Sequence, residues 1–229
     1  GIDRAGISAK ITLGRYPVTE SDRPRFSWAY DARIAEPRFD PLAADRAFDA
    51  AGWRRGPGGM RRKAGRALAL TYVQFPETST GVATAAVVQR ELYERGVDVT
   101  IKSISNAQLF LPAKEGGALA AGRFDLAYVP WAMGADPDDR FLLGCTAGAK
   151  NYMRYCDPAV ERLETRAASE PERAKRKAAY ADIDRRVARD VPIVYLFNPT
   201  YTYAYAARLA GFSPNAFVPT WNAYAWRLK

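Results

Sequence analysis

The stretch that most constrains the fold runs from Leu68 to Ile101. Leu68, Leu70 and Tyr72 recur with period two, the spacing of a half-buried strand. A helical pattern follows from about Thr80 to Arg95, with Ala85, Val88 and Leu92 on one face and Gly96 as its stop. Val97, Val99 and Ile101 then alternate again. Two strands separated by a helix cannot form a hairpin. They predict a parallel pair joined by a crossover, and with it an α/β fold.

Other elements can be read around this unit. Asp40-Pro41 predicts a helix start, with Asp as N-cap and Pro in the first turn, running to Gly52. Met60 to Lys63 and Arg66 to Phe75 flank Ala64-Gly65 as a hairpin. A helical stretch interrupted at Gly116-Gly117 is expected between Asn106 and Ala121, then a buried strand from Phe124 to Trp131. Asp136-Pro137 and Asp157-Pro158 repeat the helix-start signal, and Ser169 with Glu172 reads as a capping box. The next helix buries Tyr180, Ile183 and Val187. Pro192 to Phe197 is a continuous apolar run, the pattern of a fully buried strand, and Tyr201, Tyr203 and Tyr205 alternate beyond it. The N-terminal GIDRAGISAKITLG opens into a helical pattern without a cap, as a fragment of a longer chain would.

Composition narrows the chemistry. With 229 residues, 48% of them hydrophobic and 26% charged, the chain has material for one large domain or two small ones. No apolar run approaches the length of a membrane span, and no signal peptide is visible. Histidine is absent, which removes the commonest general base and the commonest metal ligand. A zinc site built from two cysteines would need an unusual carboxylate set. Neither GxSxG nor SxxK occurs, although Ser and Lys nucleophiles remain formally open. The residues therefore point away from an enzyme, and neither a cofactor nor a metal is expected.

The net charge of +9 raises nucleic-acid binding as a second class, which would show binding that falls steeply with salt. However, Arg173, Lys175, Arg176, Lys177, Arg185, Arg186 and Arg189 alternate with Glu170, Glu172, Asp182 and Asp184, the pattern of a solvated helix face. The densest cluster (Arg54, Arg55, Arg61, Arg62 and Lys63) is interrupted by GPGG and reads as a turn with exposed charges. It has no interleaved aromatics on which bases could stack.

A binding site is best sought between Gly122 and Cys156, where the expected strand ends in a loop of Trp131, Met133, Gly134 and Asp136. Trp131 has two readings, a stacking wall for a ligand or core. Asp136 also has two, the nearest carboxylate to such a ligand or the cap of an Asp-Pro helix start. Met133 is an adaptable contact or loop filler. Trp28 and Trp53 are assigned to structure.

The order of these segments resembles the C-terminal half of the extracellular solute-binding proteins of the peptide/nickel ABC-importer family, family 5. The resemblance is carried by IDRAGI (2 to 7), FDPLAADRAFDAAGW (39 to 53), ALALTYVQF (67 to 75) and VVQRELYERGVDVTIKSI (87 to 104). It continues through GRFDLAYVPWAMGADPD (122 to 138), NYMRYCDPAVERL (151 to 163), VPIVYLF (191 to 197) and LAGFSPN (209 to 215).

The resemblance implies an α/β lobe of the type II periplasmic-binding-protein kind, with a mixed β-sheet flanked by helices. Residues 1–193 would form the C-terminal ligand-binding lobe. Residues 194–229 would cross the hinge and pack on an N-terminal lobe that, with the signal peptide, lies outside this chain. The implied activity is binding of peptides or similar small solutes and their delivery to an ABC permease, from the periplasm or the outer face of the membrane, with no nucleic-acid partner. In dipeptide-binding members a ligand-pairing Asp lies three residues after the block's Trp, where this chain has Gly134. Some peptide-binding members also carry two cysteines around an NY segment. Cys145 and Cys156 are thus expected to pair outside the cytosol, free buried thiols in a cytosolic protein being the alternative. Asn151 and Tyr152 would hold the cystine loop.

Overall fold

The computed structural model describes residues 1–146 and 150–229; the middle of the loop between the two cysteines lies outside the described residues. The elements begin with helices α1 (Arg4–Ile11) and α2 (Pro41–Ala50), then strands β1 (Arg54–Arg55), β2 (Arg61–Lys63), β3 (Arg66–Ala67) and β4 (Ala69–Gln74). Helix α3 (Ser79–Glu94) leads to β5 (Asp98–Ser103), α4 (Asn106–Leu109), β6 (Leu126–Ala127) and α5 (Arg140–Leu143). Helices α6 (Pro158–Ser169) and α7 (Arg173–Asp190) follow, then the short strands β7 (Leu209–Ala210) and β8 (Arg227–Leu228).

The crossover forms as the periodicity requires. β4 pairs in parallel with β5, from Ala69 opposite Asp98 to Gln74 opposite Ser103, and in parallel with β6 at Tyr72–Leu126 and Val73–Ala127. β4 is therefore central, in the order β5-β4-β6. Its alternation supplies two cores, because successive side chains leave opposite faces. Tyr72 packs with Ile7 of α1 and with Ala85, Val88 and Leu92 of α3. Val73 packs on the other face with Phe75, Leu109 and Leu119. Gly96 closes α3 at φ +81°, where a Cβ would lie 2.5 Å from the Gly59 carbonyl oxygen, so glycine is required there. A third core joins α5, α6 and α7 through Leu142, Leu143, Val160, Tyr180, Ile183 and Val187.

Several local expectations need correction. α1 is capped after all, since the Asp3 carboxylate accepts from the Gly6 N–H at 2.8 Å. The second hairpin arm is split: β3 completes a small antiparallel sheet with β1 and β2, while β4 joins the parallel sheet. The strand expected over Phe124 to Trp131 pairs only at Leu126–Ala127. The helix expected between Asn106 and Ala121 is the single turn α4 plus a 3₁₀ turn at Ala113–Glu115. Ser169 belongs to the end of α6, its hydroxyl donating back to the Thr165 and Arg166 carbonyls, so there is no capping box before α7.

Pro192 to Phe197 is extended and half-buried, not a fully buried ladder strand. Its backbone is satisfied piecemeal. The Tyr195 carbonyl accepts from Arg4, the Tyr195 N–H donates to Glu36, and the Asn198 N–H donates to the Pro17 carbonyl. The basic turn near GPGG is not wholly exposed either. Arg61 is only 1% exposed and is neutralised by Asp45 at 2.6 Å and Asp49 at 2.8 Å.

Candidate functional site

Parallel strands align their C-terminal ends, and the loops leaving that edge converge. Here they are the turn from Phe75 into α3, the turn from Ile104 into α4 and the long segment from Tyr128 to Asp139. The first two are tied together, because the Glu77 carboxylate accepts from the Asn106 N–H at 2.9 Å. Tyr128 packs on Phe75 with ring centroids 6.2 Å apart.

Trp131 lies in the third loop, half-buried, in a box of aromatic rings. It stacks on Tyr152 at 6.3 Å and meets Phe110 and Phe141 edge-on at 5.9 and 6.1 Å. The Lys150 ammonium stands 5.3 Å from its ring centroid. Offset and edge-on pairs of this kind hold a ring in one orientation. The indole is packed against Phe110, Phe141 and Tyr152, yet keeps solvent access.

Met133 is half-buried and Gly134 is exposed. Gly134 has no backbone need for glycine, since a Cβ there would come no nearer than 3.7 Å to the Asp136 carbonyl oxygen. Asp136 is not a helix cap. Helix α5 begins only at Arg140, because the Pro137 carbonyl accepts from Arg23 instead and Asp138 takes the Arg140 N–H at 3.2 Å. The Asp136 carboxylate reaches α7, accepting from Arg176 Nη2 at 2.8 and 3.0 Å. That bond holds the Arg176 guanidinium above its usual pKa. Trp131, Met133, Gly134 and Asp136 thus share one loop, with Trp131 anchored by rings and Asp136 by an ion pair.

The cystine sits below this loop. Cys145 and Cys156 are bonded, with Cα atoms 4.8 Å apart. Asn151 fills the loop's interior, its amide donating to the Gly144 and Tyr155 carbonyls at 3.1 and 2.6 Å and its oxygen accepting from the Tyr155 N–H at 3.0 Å. Glu161 of α6 takes the Cys145 N–H at 2.6 Å. Asn151 serves the cystine loop as expected, while Tyr152 also carries Trp131.

A second feature escaped the sequence. Arg23, 1% exposed, is surrounded by four buried carboxylates: Asp22, Asp139, Glu164 and Asp184. Its guanidinium donates to Asp22 at 2.9 Å and to Asp184, and caps the Tyr180 ring at 4.4 Å. Asp139 is 2.9 Å away but out of line for a hydrogen bond, and both its oxygens and both of Glu164 lack a hydrogen-bond partner. One arginine cannot balance four buried anions. Burial accordingly raises Asp22 and Asp184 to about 7 and lifts Asp139 and Glu164 as well. Nothing in the sequence marks these residues, which lie in four separate segments.

The parallel sheet with its convergent loops and the helical layer behind it has the type II periplasmic-binding-protein fold. The structure aligns with the oligopeptide-binding protein AppA of Bacillus subtilis, solved with a nonapeptide, at a TM-score of 0.83 and 22% identity, over 100% of this chain and 45% of that one. It aligns equally with NikZ of Campylobacter jejuni, solved with Ni(L-His), at 0.82 and 20%, over 100% and 46%. In sequence, AppA is 24% identical over 232 residues, 99% of this chain and 42% of the relative. Residues 1–153 match the model of the bacterial extracellular solute-binding proteins, family 5, middle region. The chain belongs to this family, and it spans less than half the length of the relatives it matches.

Proposed function

We propose that this chain is the C-terminal lobe of a two-lobed solute-binding protein, which takes up peptides or similar small solutes and delivers them to an ABC permease in the membrane. The observation that carries this reading is the loop from Tyr128 to Asp139, where a half-buried, ring-locked Trp131 stands at the C-terminal edge of a parallel sheet. A rigid aromatic wall offers apolar contact without demanding one side chain, as a peptide binder requires. Met133 adds an adaptable neighbour.

Gly134 leaves open space where a dipeptide-binding member would place its carboxylate, and Asp136 is the nearest acid, held by Arg176. A free peptide amino group would thus meet no unpaired carboxylate in this loop, which favours solutes bound through their backbone or apolar parts. The second wall comes from an N-terminal lobe. Residues 194–229 cross to that lobe, which accounts for the exposure of Tyr201, Tyr205, Trp221 and Tyr224 at 73, 55, 50 and 84%. The lobe works in the periplasm, or outside the cell in association with the membrane, where its cystine is stable, and without chemistry of its own.

A thermal-shift screen of the full-length protein against dipeptides, oligopeptides, nickel chelates, oligosaccharides and opines tests this. Stabilisation by peptides supports the reading, and stabilisation by one other class alone replaces the peptide with that solute.

A further inference from the structure

The buried acid cluster has a consequence on the opposite side of α6 and α7. In sequence, the arginines of these helices have acidic neighbours enough to balance them. In the structure the acids are drawn away: Glu164 and Asp184 turn inward around Arg23, and Glu161 is committed to the Cys145 and Thr146 groups. The outer groove between the helices is left to Arg162 and Arg166 of α6 and to Arg185, Arg186 and Arg189 of α7. Together with Leu163 and Asp182 they line an open concavity of about 690 Å³.

The α7 wall of the groove is paired and the α6 wall is not. Arg185 is paired with Asp182 and lies 3.9 Å from Asp31, Arg186 is paired with Asp157 at 3.2 Å, and Arg189 with Asp190 at 2.7 Å and more distantly with Asp157 at 4.0 Å. Among the described residues Arg162 and Arg166 have no carboxylate within 4.0 Å. Arg162 and Arg166 are also four apart on one helix, as are Arg185 and Arg189 on the other, so like charges face each other along both walls. Arg185 and Arg189 continue into an adjoining hollow of about 370 Å³ that includes Arg33.

We propose that this groove is a binding site for a phosphate-bearing anion. Guanidinium groups bind phosphate oxygens as forks, two bonds at a time, and a set of them converging from two walls favours a multiply charged phosphate over a single chloride. The groove lies on α6 and α7, shares no residue with the loop from Tyr128 to Asp139, and does not depend on the solute proposed above. The phosphate could belong to a soluble molecule or to a lipid headgroup; the site reads the same oxygens in either.

Isothermal titration of the full chain with sodium pyrophosphate, at fixed ionic strength in chloride, tests the site. One saturable site is expected, weakened by about tenfold or more in the Arg162→Gln/Arg166→Gln double variant. Both side chains are exposed and unpaired, so the fold should survive, as circular dichroism would check. A Lys102→Gln/Lys114→Gln variant, with the same charge change on other elements, should bind like the parent. Co-sedimentation with phosphatidylglycerol vesicles distinguishes the sources: pyrophosphate-competed vesicle binding assigns a headgroup, and pyrophosphate binding alone assigns a soluble phosphate. No saturable pyrophosphate binding, or equal weakening in both double variants, would overturn the proposal. So would retention of anionic polymers without a saturable site.

Discussion

Arg23 shows how much of this molecule rests on single side chains. Among the described residues it is the one cation set among the buried Asp22, Asp139, Glu164 and Asp184, and it joins the 15–39 segment to α5, α6 and α7. Removing one partner from a buried ionic group leaves the rest uncompensated. Arg23→Met is expected to lower stability by roughly 3–5 kcal/mol, read as a shift of the urea midpoint. The same cluster sets a pH dependence. Asp22 and Asp184 titrate near 7 when folded and near 3.8 when unfolded, so the folded state holds the extra protons. Their contribution is complete below pH 4 and is lost as pH rises through 7. Asp31 is opposite in sign, lowered to about 2 by its hydrogen bonds to Arg33, and acts only below pH 4. The melting temperature should therefore rise from pH 8 to pH 5; a flat or falling profile over that range would show that the cluster carries no proton on folding.

At the scale of elements, what could be read in the sequence was local and periodic. The crossover from β4 through α3 to β5 was legible because strand and helix periods alternate cleanly and Gly96 marks the stop. The caps at Asp40 and Asp157 were legible because each carboxylate bonds an N–H two or three residues on. Asp136-Pro137 carries the same signal but fails, because Arg23, 114 residues away in sequence, takes the Pro137 carbonyl. Pro192 to Phe197 misleads for a related reason: its apolar side chains are half-covered, while its backbone bonds to Pro17, Glu36 and Arg4 instead of a strand. The loop of the candidate site could be picked out by its composition, but not the ion pair of Asp136 with Arg176 or the ring contacts of Trp131. Those depend on which distant elements meet. The cystine belongs to this scale too, since it joins residues eleven positions apart in a loop held against α6. Replacing both cysteines by serine should cost about 3 kcal/mol by the chain-entropy account, measured as a lower denaturation midpoint than the oxidised parent.

For the whole molecule, the parallel sheet with α1 and α3 on one face, and the α5–α7 layer beside it, forms a lobe whose loop edge presents Trp131. Its C-terminal aromatics are exposed at Tyr201, Trp221 and Tyr224, the surface that the proposed second lobe would cover. Two lobes closing on a solute would couple binding to a change of shape that a permease can sense. The claim that Trp131 is one wall of that cleft is tested most directly by isothermal titration of full-length protein with oligopeptides, parent against Trp131→Ala. The account predicts one saturable site in the parent, weakened by about tenfold or more in the variant, in line with the loss of a buried aromatic contact. Equal affinity in parent and variant, or no binding of any peptide by the parent, would contradict it.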